Sequence, residues 1–151
     1  MELRPLGPEL AEALGVLLLA LAEAGDDRYF GPHPLTPAYA RQLAEKQDRD
    51  EYHLLLRHGE ALAYGMLRGW EEGFDTPFLG VAVHPAHRGQ RLAEIVMRHL
   101  HGVAERRRAS SVRLKVHDDN GSALALYRRL GYRPIGRAQG QLLMEKPLRP
   151  R

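Results

Sequence analysis

The chain has 151 residues, of which 44% are hydrophobic and 27% are charged, the size and balance of one folded domain. It contains no cysteine, which excludes disulfides and a cysteine nucleophile and fits a cytoplasmic protein. The net charge of +3 is too small to indicate nucleic-acid binding. The longest apolar run, Val16 to Ala22, is far shorter than the roughly 20 residues of a membrane span, and signal-peptide features are lacking at the N-terminus.

The first part of the chain predicts a strand and two helices. Met1 to Leu6 is a short mixed segment that opens the sheet. Pro8 to Ala24 predicts a helix, because proline suits the first turn and leucines recur at helical spacing. Arg28 to Leu35 is rich in proline and aromatic residues, which predicts a loop that anchors to the core or lines a pocket. Thr36 to about Lys46 predicts a second helix, because threonine is a good N-cap and proline follows it.

Three strands follow in the middle of the chain. Tyr52 to Arg57 and Ala61 to Trp70 predict a hairpin, because a glycine-bearing turn separates two apolar runs. Glu71 to Thr76 is a polar turn, and Pro77 to Val83 predicts the third strand.

The segment Leu79 to Ala93 joins this third strand to a long helix through a basic turn with one glycine. The apolar residues after the turn fall on one helical stripe, formed by Leu92, Ile95, Val96, Leu100 and Val103. Backbone N–H groups at the start of a helix lack intrahelical partners, and the helix dipole adds positive potential there. The junction therefore predicts a phosphate or pyrophosphate site, although any strand–turn–helix junction of an α/β domain shares these features.

A second strand and helix follow the long one. Ser111 to Val116 alternates apolar and basic residues, which predicts a strand with one buried face. Asn120 to Tyr132 predicts a helix that ends at Gly131, a natural left-handed cap. Gln141 to Glu145 predicts a closing strand, and the succession of strands and helices indicates an α/β domain.

The two strand–helix junctions together resemble the signature motifs of the GNAT superfamily of N-acetyltransferases. Val83-His84-Pro85, followed by Arg88 to Ala93, resembles the first motif, with Arg91 at a position where the family usually has glycine. The second motif is matched at each diagnostic position, by Asn120, Ala123, Leu126, Tyr127, Gly131 and Tyr132. The resemblance covers about Leu79 to Tyr132, roughly a third of the chain, and the order and spacing of the two motifs make it specific.

The resemblance implies one α/β GNAT domain over residues 1–151. Its sheet would be mixed and mostly antiparallel, with about seven strands, helices on both faces and a splay between the fourth and fifth strands. Acetyl-CoA would occupy the splay, with its pyrophosphate on the start of the long helix, and a net charge of +3 suits this polyanion. The implied coenzyme-binding residues are Val81, Ala82, Val83, Arg88, Gly89, Gln90, Arg91, Leu92, Ala93, Asn120 and Tyr127.

Two of these residues carry open alternatives. Arg91 would disturb the turn if its position needs a positive φ, where residues other than glycine are disfavoured. Asn120 would contact the coenzyme, cap its own helix, or do both.

The implied reaction is transfer of an acetyl group from acetyl-CoA to a primary amine, by direct attack in a ternary complex. The resemblance puts Tyr127 near the coenzyme sulfur as general acid, where a phenol can protonate the leaving thiolate. The alternative for Tyr127 is a tyrosine that only packs in the core. A different interpretation of the whole chain is a GNAT-fold module that binds acyl-CoA without turnover, as a sensor or partner-binding domain.

The sequence leaves the general base open. The predicted strand Pro77 to Val83 leads into the first motif. It carries Leu79, Val81 and Val83 on one face and Gly80 and Ala82 on the other, so it offers no carboxylate. The candidates are Glu72, its neighbours Glu71 and Asp75, His84, or a chain of water molecules. The predicted catalytic residues are therefore Tyr127, Glu72 and His84.

The expected partner is a small-molecule or peptide amine. The substrate pocket would be shaped by Arg28 to Leu35 and by the turn from Trp70 to Thr76, neither of which specifies an amine. The carboxylates Asp26, Asp27, Glu71, Glu72 and Asp75 would give a cationic amine an acidic entrance, or only keep the loops hydrated. None of the eight histidines shows metal-ligand spacing, so we expect no metal. We expect no membrane or nucleic-acid partner, and a homodimer stays open.

Overall fold

The computed structural model describes residues 1–25 and 33–148 of the chain. Two parts of the predicted pocket, Asp26 with Asp27 and residues 28–32 of the loop, lie outside the described residues. The elements are β1 Glu2–Pro5, α1 Ala11–Glu23, α2 Pro37–Glu45, β2 Glu51–Arg57, β3 Glu60–Arg68, β4 Phe78–Val83, α3 Leu92–Arg106, β5 Ser111–Val116, α4 Gly121–Arg129, β6 Arg133–Ala138 and β7 Gln141–Pro147.

The predicted elements are all present, and the differences lie at their ends. Residues Pro8–Leu10 form a 3₁₀ turn, so α1 begins at Ala11 rather than in the proline turn. In α2 the hydroxyl of Thr36 accepts a hydrogen bond from the Tyr39 backbone N–H at 3.1 Å, as the capping pattern predicts. The sequence pattern assigned no residues to β6, because Pro134 and Gly136 interrupt the alternation and five of the six residues of β6 are exposed.

The strands form one seven-stranded sheet in the order β1-β2-β3-β4-β5-β7-β6. Every neighbouring pair is antiparallel except β4 and β5, which run parallel. Those two strands share one register pair among the described residues, Phe78 with Arg113, and the Arg113 N–H donates to the Pro77 carbonyl at 3.0 Å. The mixed α/β sheet with a splay between its fourth and fifth strands is thereby confirmed.

Helices cover both faces of the sheet, as predicted. On one face, α1 and α2 pack against the buried side chains of Leu54, Leu56, Tyr64 and Met66. On the other face, α3 packs against Leu55, Ala63 and Leu67 and their neighbours, through the predicted stripe that includes Leu92, Val96, Leu100 and Val103. Burial of these two apolar layers supplies the main driving force for the fold.

Two contacts fix α3 in position above the sheet. Gly65 on β3 has no side chain, and a Cβ there would lie 2.4 Å from Val96 Cγ1, so glycine permits the close approach. His101 Nε2 is 2.7 Å from the Tyr132 hydroxyl, and both side chains are buried. Burial lowers the pKa of His101 to about 4, so the imidazole is neutral at neutral pH and can share this hydrogen bond without a buried charge.

Candidate active site

The splay between β4 and β5 opens into a cavity of about 590 Å³, which we call the first cavity. Its walls come from the ends of both strands, the turn before α3, the first turn of α3, and α4. All of the predicted coenzyme-binding residues line it except Gln90, which is exposed to solvent. The residues that line it are Leu21, Val81, Ala82, Val83, His87, Arg88, Gly89, Arg91, Leu92, Ala93, Glu94, Lys115, Val116, His117, Asn120, Ser122, Ala123, Leu126, Tyr127 and Arg129.

The turn that precedes α3 is built from the backbone rather than from side-chain caps. His84 Nδ1 accepts a hydrogen bond from the Ala86 N–H at 3.0 Å and so caps the 3₁₀ turn Pro85–His87. Gly89 then takes a φ of +80°, and α3 begins with no side-chain cap. The first N–H groups of α3 therefore keep their hydrogen-bonding capacity for a ligand, and the helix dipole favours an anion there.

Arg91 occupies the left-handed conformation that the sequence analysis identified as a risk. Its φ is +60° and its ψ is 26°, and its side chain is exposed. The family's glycine is thus replaced at a position that does need a positive φ, yet the turn keeps its course into α3. A residue with a Cβ loses about 1 kcal/mol in this conformation, so the substitution costs stability.

Glu94 puts a carboxylate in the wall of a cavity that suits an anion, and two arginines neutralise it. Arg98 Nη2 lies 2.8 Å from Oε2, and Arg129 Nη1 lies 2.7 Å from Oε1. Hydrogen bonds from Arg129 and then Arg98 hold the pKa of Glu94 below its ordinary value. The Arg129 pair also connects the start of α3 to α4, the two helices that flank the cavity, whereas Arg98 lies on α3 one turn after Glu94.

Asn120 stands at the N-cap position of α4, but its side chain makes no capping hydrogen bond. The alternative that Asn120 caps its helix is therefore wrong for the side chain. Asn120 is half-buried in the wall of the first cavity, where its amide can meet a ligand.

A second cavity, of about 410 Å³, lies beside the first. It is lined by Met66, Arg68, Gly69, Glu72, Phe74, Phe78, Leu79, Gly80, Val81, Lys115, Tyr127, Gln139 and Gln141. Val81, Lys115 and Tyr127 belong to the walls of both cavities. The two cavities therefore meet at the splay, beside these three residues.

Tyr127 presents its hydroxyl where the cavities meet, and no described residue forms a hydrogen bond with it. Its ring packs against the core and lies 5.9 Å from the Tyr132 ring, centroid to centroid. Two other tyrosine hydroxyls have hydrogen-bond partners. The Tyr132 hydroxyl is hydrogen-bonded to His101, and the Tyr64 hydroxyl lies 3.0 Å from His33 Nε2. Within residues 1–25 and 33–148, no group hydrogen-bonds the Tyr127 hydroxyl, and burial raises its pKa to about 12. Tyr127 thus packs in the core and also offers a protonated phenol to the junction.

The candidate bases differ in their position relative to the second cavity. Among the described residues, Glu72 is the only carboxylate in its wall. Glu71 instead accepts a hydrogen bond from the Arg49 N–H at 2.9 Å, and Asp75 lines neither cavity. His84 also lies outside both walls, because its ring caps the turn.

Residues from distant strands complete the walls, and the sequence analysis did not identify them. Lys115 lies near the end of β5, His117 directly follows that strand, and Arg68 is the last residue of β3. Gln139 comes from the β6–β7 turn, and Gln141 is the first residue of β7. The alternation in β5 placed Lys115 on the face opposite Leu114, but nothing local indicated that this face borders a cavity.

A sheet that splits beside a helix start, with a cavity at the split, is the architecture of acyl-CoA-dependent acyltransferases. The sequence model of the acetyltransferase (GNAT) family matches residues 18–132. The chain belongs to this family.

Solved structures show the same fold over nearly the whole chain. The GNAT domain of S. lividans PAT is 19% identical and has a TM-score of 0.81, with 97% of this chain and 89% of that chain covered. The ribosomal-protein-alanine N-acetyltransferase from Brucella melitensis is 19% identical, with a TM-score of 0.78 and coverage of 98% and 100%. The PaiA N-acetyltransferase from Thermoplasma acidophilum, solved in complex with coenzyme A, is 14% identical, with a TM-score of 0.74 and coverage of 97% and 98%.

A comparison with curated proteins found no matching sequence. In the described part of the chain, no helix has the length and apolar content needed to cross a membrane. The same residues contain no group of three or more His, Asp or Glu side chains that could hold a metal ion.

We predict that Arg91→Gly raises the free energy of unfolding by up to about 1 kcal/mol, because glycine removes the left-handed strain. Arg88→Gly is the matched control, since Arg88 has a φ of −68° and no strain to relieve. The control should lower stability by about 0.5–1 kcal/mol through the added freedom of the unfolded chain. Urea unfolding of the ligand-free variants measures both changes, and a loss of stability in Arg91→Gly would contradict the assignment of strain.

Proposed function

We propose that this protein is an N-acetyltransferase that moves an acetyl group from acetyl-CoA to a primary amine by direct attack in a ternary complex. The observation that carries the proposal is the junction of the two cavities, where the Tyr127 phenol belongs to both walls and forms no hydrogen bond with any described residue. Such a junction lets two ligands enter from separate sides and meet with their reacting atoms held close together.

The lining of the first cavity suits the chemistry of the coenzyme. Backbone N–H groups from about Arg88 to Ala93 can bind the pyrophosphate, and the two arginines that pair with Glu94 leave a net positive charge nearby. Beyond Phe78, β4 uses one edge to pair with β3, and the other edge faces the splay. The free edge at Val81 to Val83 can pair with the amide-rich pantetheine arm by strand addition. The coenzyme-bound structure of the Thermoplasma relative supports this choice of ligand.

Tyr127 acts in this proposal as the proton donor to the departing sulfur. Acetyl-CoA supplies an activated thioester, and the amine nitrogen forms an amide bond as the C–S bond breaks. An amine attacks only when deprotonated, and a phenol with a pKa of about 12 still keeps its proton at the pH where a primary amine, with a pKa of about 10, begins to lose its own. The phenol therefore stays a donor throughout the working pH range.

Glu72 acts as the base that removes the amine proton, directly or through water. It is the carboxylate in the wall of the second cavity, while His84 is held by its capping hydrogen bond away from both walls. A second candidate function is a module that binds acyl-CoA without turnover. It is favoured by the sequence of β4, because that strand carries no carboxylate that could act as the general base.

The proposal is tested by measuring thiol release from acetyl-CoA with a panel of amines. The panel should include amino acids, amino sugars, polyamines and peptides with free N-termini. We expect turnover with at least one class and formation of its N-acetyl product. A melting temperature that rises with acetyl-CoA, without turnover on any amine, would support the binding module instead.

We predict that Gly89→Ala weakens acetyl-CoA binding by about tenfold, because a Cβ at this position crowds the approach of the pyrophosphate. Gly59→Ala is a closely matched control. Both glycines have a φ of +80°, and at both a Cβ would have no neighbouring atom within 4 Å, so the two variants bear the same backbone strain. The shift of melting temperature with acetyl-CoA measures binding, and equal shifts in the two variants would move the pyrophosphate site elsewhere.

We predict that Tyr127→Phe lowers the single-turnover rate of acetyl transfer by at least about tenfold, because acid catalysis is worth about 10²–10⁴-fold. The change keeps the ring and its contact with Tyr132, so melting temperature and acetyl-CoA affinity should stay nearly unchanged. Tyr39→Phe removes a hydroxyl from α2, outside both cavities, and should leave the rate unchanged. A Tyr127→Phe variant that transfers acetyl at the parent rate would remove Tyr127 from the mechanism.

A further inference from the structure

The described residues give the second cavity more positive than negative charge, which is unexpected for a site that receives an amine. Within residues 1–25 and 33–148, the groups of its wall that carry charge are two cations, Arg68 and Lys115, and one carboxylate, Glu72. The amides of Gln139 and Gln141 add neutral hydrogen-bonding groups. A polyamine or an alkylamine would bring only positive charge into this space, so an amine that also carries an anionic group fits it better.

Lys115 is the cation best placed to bind such an anion. Its Nζ donates to Gln139 Oε1 at 2.8 Å and lies 5.3 Å from the centre of the Phe78 ring. An ammonium group has three donors, so two remain for a ligand. No carboxylate of the described residues lies within ion-pair distance of Lys115, whereas Arg113, two residues earlier on β5, pairs with Glu145 at 2.9 Å.

The position of Lys115 limits the distance between the anion and the reacting amine. Lys115 shares the junction of the cavities with Val81 and Tyr127, where the acetyl group would meet the amine. An anion bound by Lys115 is therefore close to the nitrogen, as in a molecule that carries both groups on one carbon. The rest of the wall includes Met66, Phe74 and Phe78, which suit an apolar side chain.

We propose that the acceptor is an α-amino acid, with Lys115 as the residue that binds its carboxylate and Arg68 adding positive potential from β3. This inference rests on the proposed function. The amine nitrogen forms the amide bond as the thioester C–S bond breaks, the amine gives up one proton, and the sulfur gains one. The carboxylate takes no part in this exchange, so Lys115 determines specificity and is not a catalytic residue.

The test compares each amino acid with its α-amide at saturating acetyl-CoA, because the amide keeps the side chain and amine but loses the anion. Rates are compared at equal concentrations of deprotonated amine, since the two amines differ in pKa. We expect kcat/KM to be at least about tenfold higher for the acid with the preferred side chain. The matching 1-aminoalkylphosphonate separates recognition of a carboxylate from recognition of any anion, and a phosphonate that outperforms the acid would overturn the choice of carboxylate.

Variants of Lys115 assign the preference to this side chain. Lys115→Met keeps the apolar stem over Phe78 and should raise KM for the acid about tenfold, with kcat and the kinetics of the amide nearly unchanged. Lys115→Arg restores the charge and should restore most of the preference. Lys146→Met removes the same charge from β7, outside both cavities, and should leave kcat and KM unchanged for both the acid and the amide. Equal losses for acid and amide in Lys115→Met would overturn the inference.

The failure of the inference is distinguishable from the failure of the proposed function. If alkylamines or polyamines are acetylated better than amino acids, the protein is an acetyltransferase and the inference is wrong. If no amine supports turnover, calorimetry of amino acid binding to the enzyme with coenzyme A tests anion recognition directly. In that case binding that is lost in Lys115→Met supports the role of Lys115, and the absence of binding overturns it.

Discussion

The separation of β4 from β5 is the constraint on which the rest of the site depends. Each strand is held along one edge, β4 by β3 and β5 by β7, so the two can part after Phe78 and Arg113 without unfolding the sheet. The parting leaves backbone groups of β4 without a strand partner, and such groups need water or a ligand. A coenzyme arm rich in amides would fit this need, so the proposed ligand follows from the opening in the sheet.

The start of α3 shows how the surrounding structure holds a strained turn. Arg91 takes a left-handed conformation that glycine would adopt more easily, and Glu94 brings a negative charge to a place suited to an anion. The His84 cap before the turn and the arginine pairs of Glu94 after it keep both features in place. Strain of this kind persists where several neighbouring contacts hold the backbone in one conformation, and it is common at ligand sites.

The end of α4 brings Tyr127 and Tyr132 together, and their hydroxyl groups differ in their surroundings. Gly131 has a φ of +101°, which turns the chain so that the Tyr132 N–H donates to the Tyr127 carbonyl at 3.0 Å. Tyr132 is buried and bonded to His101, so it supports the core. Tyr127 packs against it and leaves its own hydroxyl for the junction of the cavities.

The sequence by itself determined the elements and the two motifs, because helical and strand periodicity, capping residues and turns are local signals. It located the turn before α3 and Tyr127, and it showed that β4 has no carboxylate. It did not locate β6, whose residues are mostly exposed and lack alternation. Only the tertiary structure decided that Lys115 meets Gln139 across 24 residues and that Glu72 borders the same cavity. These contacts depend on how distant strands are arranged in the sheet, and no local pattern in the sequence encodes that arrangement.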